Sequence, residues 1–228
     1  MTAIRKIGLE LALMSTKVAI VTGNNVGLGR ALTERLSELG YKTPEIIRSK
    51  DYDLKDPETS SRLVKDIYER YGSIDLLVNN VGNYINKPIS QFSFDEWREM
   101  IDSNLNSAFY LSQRALPYLR ESHGRILNIG YASMEKLDPS VNVTAYQAAK
   151  TGLLVLTRGM AKEEAPNGVL INMLSPGYME NTVTDKFMPN MPLGRFATLD
   201  EAVDAAFFLI KSDYITGQNL ELAGGWGL

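Results

Sequence analysis

The 228-residue sequence contains no cysteine. That excludes disulfides, thiol nucleophiles and thiolate metal sites, and it suits a reducing compartment, so a cytoplasmic protein is expected. Histidine is nearly absent as well. The single imidazole, His123, lies in Glu121-Ser122-His123-Gly124 and reads as a turn residue; one histidine cannot build a zinc site, and no metal is expected. No apolar run is long enough to span a membrane. The formal charge of −3, with both signs interspersed, offers no basic stripe to nucleic acid. Gly-x-Ser-x-Gly does not occur, which removes the nucleophile elbow of a hydrolase. The length allows one large α/β domain that needs no cross-links. Residues 17–228 read as that domain. Residues 1–16 read as an extension whose first 13 residues are amphipathic and lack a signal-peptide cleavage site; it reads either as the product of a start codon upstream of Met14, which stands directly before Ser15-Thr16-Lys17, or as an added helix at a subunit contact.

What is present alternates between strands and helices. Lys17–Thr22 reads as a strand and Gly27–Leu39 as a helix closed by Gly40. Asp56-Pro57 is an N-cap and first helical position, opening a helix to about Tyr71. Ile74–Asn79 is a strand, Phe94–Glu121 a long helix expected to break near Pro117, and Arg125–Gly130 a strand. Thr144–Glu164 is a helix and Gly168–Leu174 a strand. Tyr178–Pro192 reads as a loop over the site. Thr198 and Glu201 form a capping box for a helix to about Lys211, and Gln218–Leu222 is the last strand. The pattern implies a doubly wound, mostly parallel Rossmann-type sheet that binds its ligand at the carboxyl ends of the strands. Only Ser49–Tyr52 separates Arg48 from Asp53-Leu54. A parallel crossover needs a dozen residues or more, so the edge strand and helix that normally follow strand two should be missing. Pro44 agrees with an edge there, and an adenine pocket at that edge should be open.

Three stretches carry the chemistry. Thr22-Gly23-Asn24-Asn25-Val26-Gly27-Leu28-Gly29 joins an apolar strand to an amphipathic helix, as a dinucleotide pyrophosphate requires. Val78-Asn79-Asn80-Val81-Gly82 ends another apolar strand. In Tyr146-Gln147-Ala148-Ala149-Lys150, four-residue spacing puts a phenol and an ammonium on one helix face, where the cation is expected to pull the phenol toward the operating pH. Together, and with three residues and then one between the glycines, these stretches resemble the short-chain dehydrogenase/reductase family, its 3-oxoacyl reductases in particular, over about Lys17–Gly225.

The resemblance implies an NAD(P)-dependent oxidoreductase interconverting a carbonyl and an alcohol. Tyr146 would be the general acid/base, Lys150 would lower its pKa and hold the nicotinamide ribose, and Asn104 would anchor a water on the proton route. Gly23, Asn25, Val26, Gly27, Leu28 and Gly29 would line the pyrophosphate, Asp53 and Leu54 would meet the adenine, and Asn80 and Gly82 would lie beside the ribose. Pro176, Gly177 and Met179 would back the carboxamide, with Asn181-Thr182 where the family usually has threonine. Ile47 replaces the acidic residue of NAD users and Arg48 follows it, with Lys50 close by; a guanidinium suits a 2′-phosphate, so NADP is expected over NAD. The family's serine, which polarises the substrate carbonyl, falls at Tyr131 by strand register and at Ser133 by counting back from Tyr146. In an extended chain both would face the site; Ser133 is the expected donor and Tyr131 a wall of the substrate pocket. A homodimer or homotetramer is implied. Two rival readings stand beside this one: a pteridine-type C=N reductase on the same scaffold, and a non-catalytic NADP-binding regulator.

Overall fold

A computed structural model describes residues 17–44, 52–181 and 191–227. The strands are β1 Ala19–Val21, β2 Leu76–Asn79, β3 Arg125–Ile129, β4 Leu170–Pro176 and β5 Asn219–Leu222. They pair in parallel in the order β1-β2-β3-β4-β5. On the free side of β1, Lys42 pairs in parallel with Val18; the Ala19 amide donates to the Lys42 carbonyl and the Lys42 amide to that of Lys17. The chain therefore leaves β1 to one side and returns to β2 on the other. That reversal at β1 is the switch point where open α/β sheets bind ligands. Among the described residues no third strand lies beyond Lys42. Arg48, Lys50 and the shortened crossover fall in residues 45–51, outside the described residues, as do the extension 1–16 and Thr182.

Successive strand residues are buried on opposite faces, as the period of two requires. Ala19, Val21, Leu76 and Val78 pack with Leu28, Leu32 and Leu36 of helix α1 (Gly27–Glu38) and with Ala206, Phe207 and Ile210 of α6 (Leu199–Lys211). Val18, Ile20, Leu77 and Ile126 pack on the other side. Their partners there are α2 (Pro57–Tyr71), α4 (Ser107–Ser122) and α5 (Thr144–Glu164), through Leu63, Leu111 and Met160. The expected caps are in place. Asp56 accepts from the Thr59 amide, and Thr198 and Glu201 close a reciprocal capping box. Ser93 and Glu96 form another at α3 (Phe94–Ile101).

The expected break at Pro117 is a correction: α4 runs straight through it. The interruption comes earlier, as a π-helical turn over Asp102–Asn106 between α3 and α4. Such one-residue insertions often mark functional positions, and this one carries Asn104.

Candidate active site

The glycine turn is held open by its neighbours. Gly23 and Gly27 have φ of 65° and 53°, and a Cβ on Gly29 would collide with the Gly23 carbonyl. The Thr22 hydroxyl accepts from the amides of Asn80 (2.9 Å) and Val81 (3.0 Å), tying the end of β1 to the end of β2. The Asn80 side chain donates to the carbonyls of Thr22 (3.0 Å) and Gly23 (3.4 Å), so its amide group is engaged with the turn. Asp56, Ser93 and Thr198 cap their helices, but Val26 at the start of α1 has no side chain able to do so, and no acidic residue stands in the first turn. The positive end of α1, like that of the helix after Val143, has no side-chain cap; together with the glycine turn it fits a dinucleotide pyrophosphate. Asn181 reaches this turn from the far wall, its Nδ2 about where a Gly27 Cβ would touch it. Leu28 and Leu54 are core residues, buried in opposite layers of the sheet, and Asp53 is exposed at the start of a turn.

Gly82 lets the acid/base groups converge. A Cβ there would run into Asn104 Oδ1 and come within 3.4 Å of Lys150 Nζ. The Asn104 amide nitrogen donates to the carbonyls of Asn83 (2.9 Å) and Met100 (3.1 Å), while its Oδ1 is buried without a partner among the described residues. A buried acceptor of this kind costs free energy unless a donor meets it. Lys150, 3 % exposed, donates to the Ile129 carbonyl at 2.8 Å.

The electrostatic expectation for the pair needs correcting. Lys150 Nζ lies 5.8 Å from the centre of the Tyr146 ring, and the Tyr146 phenol is raised, by burial first and then by Tyr131 and Tyr84. Burial also pulls the Lys150 ammonium down to about 8. Helical spacing brings the groups to one face, but the ammonium bonds the end of β3, and loss of solvent outweighs their attraction.

Ser133 is a second correction. The chain does not stay extended past β3: Ser133 has φ of 65°, its amide donates to Glu221 (2.9 Å), and its hydroxyl lies 3.5 Å from the Trp226 carbonyl. Tyr131 stands against Tyr146 instead, ring centres 5.5 Å apart, its phenol raised by burial and hydrogen-bonded by Gln147 and Thr151. Tyr84 meets Tyr146 edge-on at 5.2 Å. Sequence reasoning missed Tyr84, although Gly82-Asn83-Tyr84 follows β2 much as Gly130-Tyr131 follows β3. At β4, the Gly177 amide donates to Leu222 and the Pro176 carbonyl accepts from Ala132; Met179 is buried and bridges to Ala197.

Sequence reasoning also missed a buried polar ladder. Asn79 donates to Ser112 (3.0 Å) and Asn128 (2.8 Å), and Asn128 donates to Thr157 (2.8 Å). It fixes β2 and β3 to α4 and α5, the helix that carries Tyr146 and Lys150. Among the described residues there is no group of three or more His, Asp or Glu placed to hold a metal ion, and no helix long and apolar enough to cross a membrane.

Residues 16–227 match a family model described as enoyl-(acyl carrier protein) reductase. The chain belongs to the short-chain dehydrogenase/reductase family. It is 32 % identical to the 3-oxoacyl-(acyl-carrier-protein) reductase FabG of Haemophilus influenzae, over 93 % of this chain and 98 % of that one. The Aquifex aeolicus FabG is 31 % identical, over 92 % and 96 %. Among solved structures, the ligand-free aldohexose dehydrogenase of Thermoplasma acidophilum superposes with a TM-score of 0.82 at 28 % identity, covering 92 % of this chain and 93 % of that one. A Thermus thermophilus protein superposes equally well at 34 % identity, over 92 % and 98 %. Family and fold make the chain an oxidoreductase of the nicotinamide-dependent class. The relatives' names span two substrate classes, acyl thioesters and sugars.

Proposed function

We propose that this protein reduces a carbonyl to an alcohol, preferring NADP(H) to NAD(H), with Tyr146 as proton donor. The observation that supports it most is the meeting of Asn104 and Lys150 at Gly82, with Tyr146 beside Lys150 and a glycine turn that fits a pyrophosphate. A nicotinamide, when bound, would supply the hydride for the carbonyl carbon. Tyr146, its phenol raised by burial, keeps its proton at neutral pH and gives it to the carbonyl oxygen, so one hydride and one proton convert C=O to CH–OH. The phenolate left behind, with Lys150 Nζ 5.8 Å from the ring centre, regains a proton from solvent. Asn104 Oδ1, without a partner among the described residues, takes a hydrogen bond from a hydroxyl or water on that route. Tyr131 offers the carbonyl oxygen a second hydrogen bond, the part the sequence had suggested for Ser133.

The preference for NADP(H) rests on Arg48 following Ile47, with Lys50 near. The test is nicotinamide oxidation across a panel of ketones, 3-oxoacyl thioesters and dihydropteridines, with NADPH and NADH in parallel. Ketone-dependent oxidation, faster with NADPH, is expected, and Arg48→Asp should reverse the preference. A protein that oxidises neither cofactor on any carbonyl, or an Arg48→Asp variant with an unchanged NADPH/NADH ratio, would overturn the corresponding part of the reading.

A further inference from the structure

Four aromatic residues follow glycines just beyond four neighbouring parallel strands. Gly82-Asn83-Tyr84 comes after β2, Gly130-Tyr131 after β3, Gly177-Tyr178 after β4 and Gly224-Gly225-Trp226 after β5. Strands lie about 4.8 Å apart, so these rings line roughly 14 Å of the carboxyl edge of the sheet. With Tyr146 they form a group of three and a pair. Tyr84 and Tyr131 hold Tyr146 between them, at 5.2 and 5.5 Å, and Tyr178 meets Trp226 edge-on at 5.2 Å. The Tyr178 phenol is raised by burial and then by Tyr84. Tyr84 is 58 % exposed, a large aromatic surface to leave in water beside a reactive phenol.

We propose that this collar makes the protein selective for a carbonyl borne on, or conjugated to, a planar unsaturated ring. The inference rests on the proposed carbonyl reduction. Aromatic faces and edges reward another ring through offset and edge-on contacts that a saturated skeleton of similar area cannot make. Among the described residues Glu135 is paired with Arg158 and Asn219, Glu96 with Lys87 and Glu201 with Arg195, so these carboxylates are already engaged.

The test compares α-tetralone with its ring-saturated counterpart α-decalone. The chain has two tryptophans, and Trp97→Phe leaves Trp226 as the reporter. With NADP+ present to block turnover, α-tetralone should quench Trp226 at least tenfold more tightly than α-decalone, and Tyr84→Leu should erase most of that difference. With NADPH, kcat/KM should favour α-tetralone over α-decalone and over an acyclic 3-oxoacyl thioester by a similar factor. Tyr84 is largely exposed, so its replacement leaves the core intact. Equal quenching by the two ketones, or a preference unchanged in Tyr84→Leu, overturns the inference. Absence of turnover on every ketone overturns the carbonyl-reductase reading, whereas selective quenching would still support the collar; the two failures are thus distinguishable.

Discussion

Lys150 sits where a cation is costly. Its ammonium is buried at 3 % exposure, and its pKa falls from 10.5 to about 8. Below about pH 8 both folded and unfolded chains carry the proton, and the fold bears the whole cost of the buried charge. Between about 8 and 10.5 the unfolded chain binds more protons than the folded one, so the stability of the fold rises with pH across that window. The shift corresponds to roughly 3 kcal/mol. Lys150→Met should therefore gain stability relative to wild type by a margin that shrinks by about that amount between about pH 7 and about pH 10. Denaturant unfolding at both pH values measures it, and loss of the Ile129 carbonyl's partner cancels in the comparison. A margin independent of pH would show that the ammonium is not desolvated. At the carbonyl end of the site, Ser133→Ala should turn over nearly as wild type does. Tyr131→Phe should lose about a hundred- to a thousand-fold in turnover, as removal of one oxyanion-type donor does. Kinetics on a single ketone decide this, and the opposite ranking would restore Ser133 to the donor's place.

At the scale of elements, much of the site was legible because it is local. The glycine turn and the helix of Tyr146 and Lys150 are patterns of spacing, and spacing survives folding. Three features were not legible, each for a physical reason. In the π-helical turn at Asp102–Asn106, Asn104 reaches the Asn83 carbonyl across the interior, a tertiary contact with no periodic trace. Pro117 looked like a breaker, yet α4 continues through it. The turn at Ser133 needs a positive φ at a residue other than glycine, a conformation that local composition does not announce. The aromatics after the strand-end glycines were visible in the sequence, but their convergence became apparent only once β2 to β5 were known to be neighbours.

For the whole molecule, parallel order and the reversal at β1 decide where chemistry can occur. They bring the ends of β1 and β2 together through Thr22 and Asn80, with the open N-terminus of α1 on one side. The polar ladder through Asn79, Asn128 and Thr157 holds the Tyr146 helix on the other. If this frame binds the dinucleotide and Tyr146 only moves the proton, binding and chemistry must separate in one variant. The decisive measurement is Tyr146→Phe, with NADPH binding followed by cofactor fluorescence and turnover followed on the ketone the wild type uses best. Binding should stay within a few-fold of wild type while turnover falls by about a hundred- to ten-thousand-fold, the range of a lost general acid. Turnover within a few-fold of wild type would contradict the assignment of Tyr146 and the mechanism built on it.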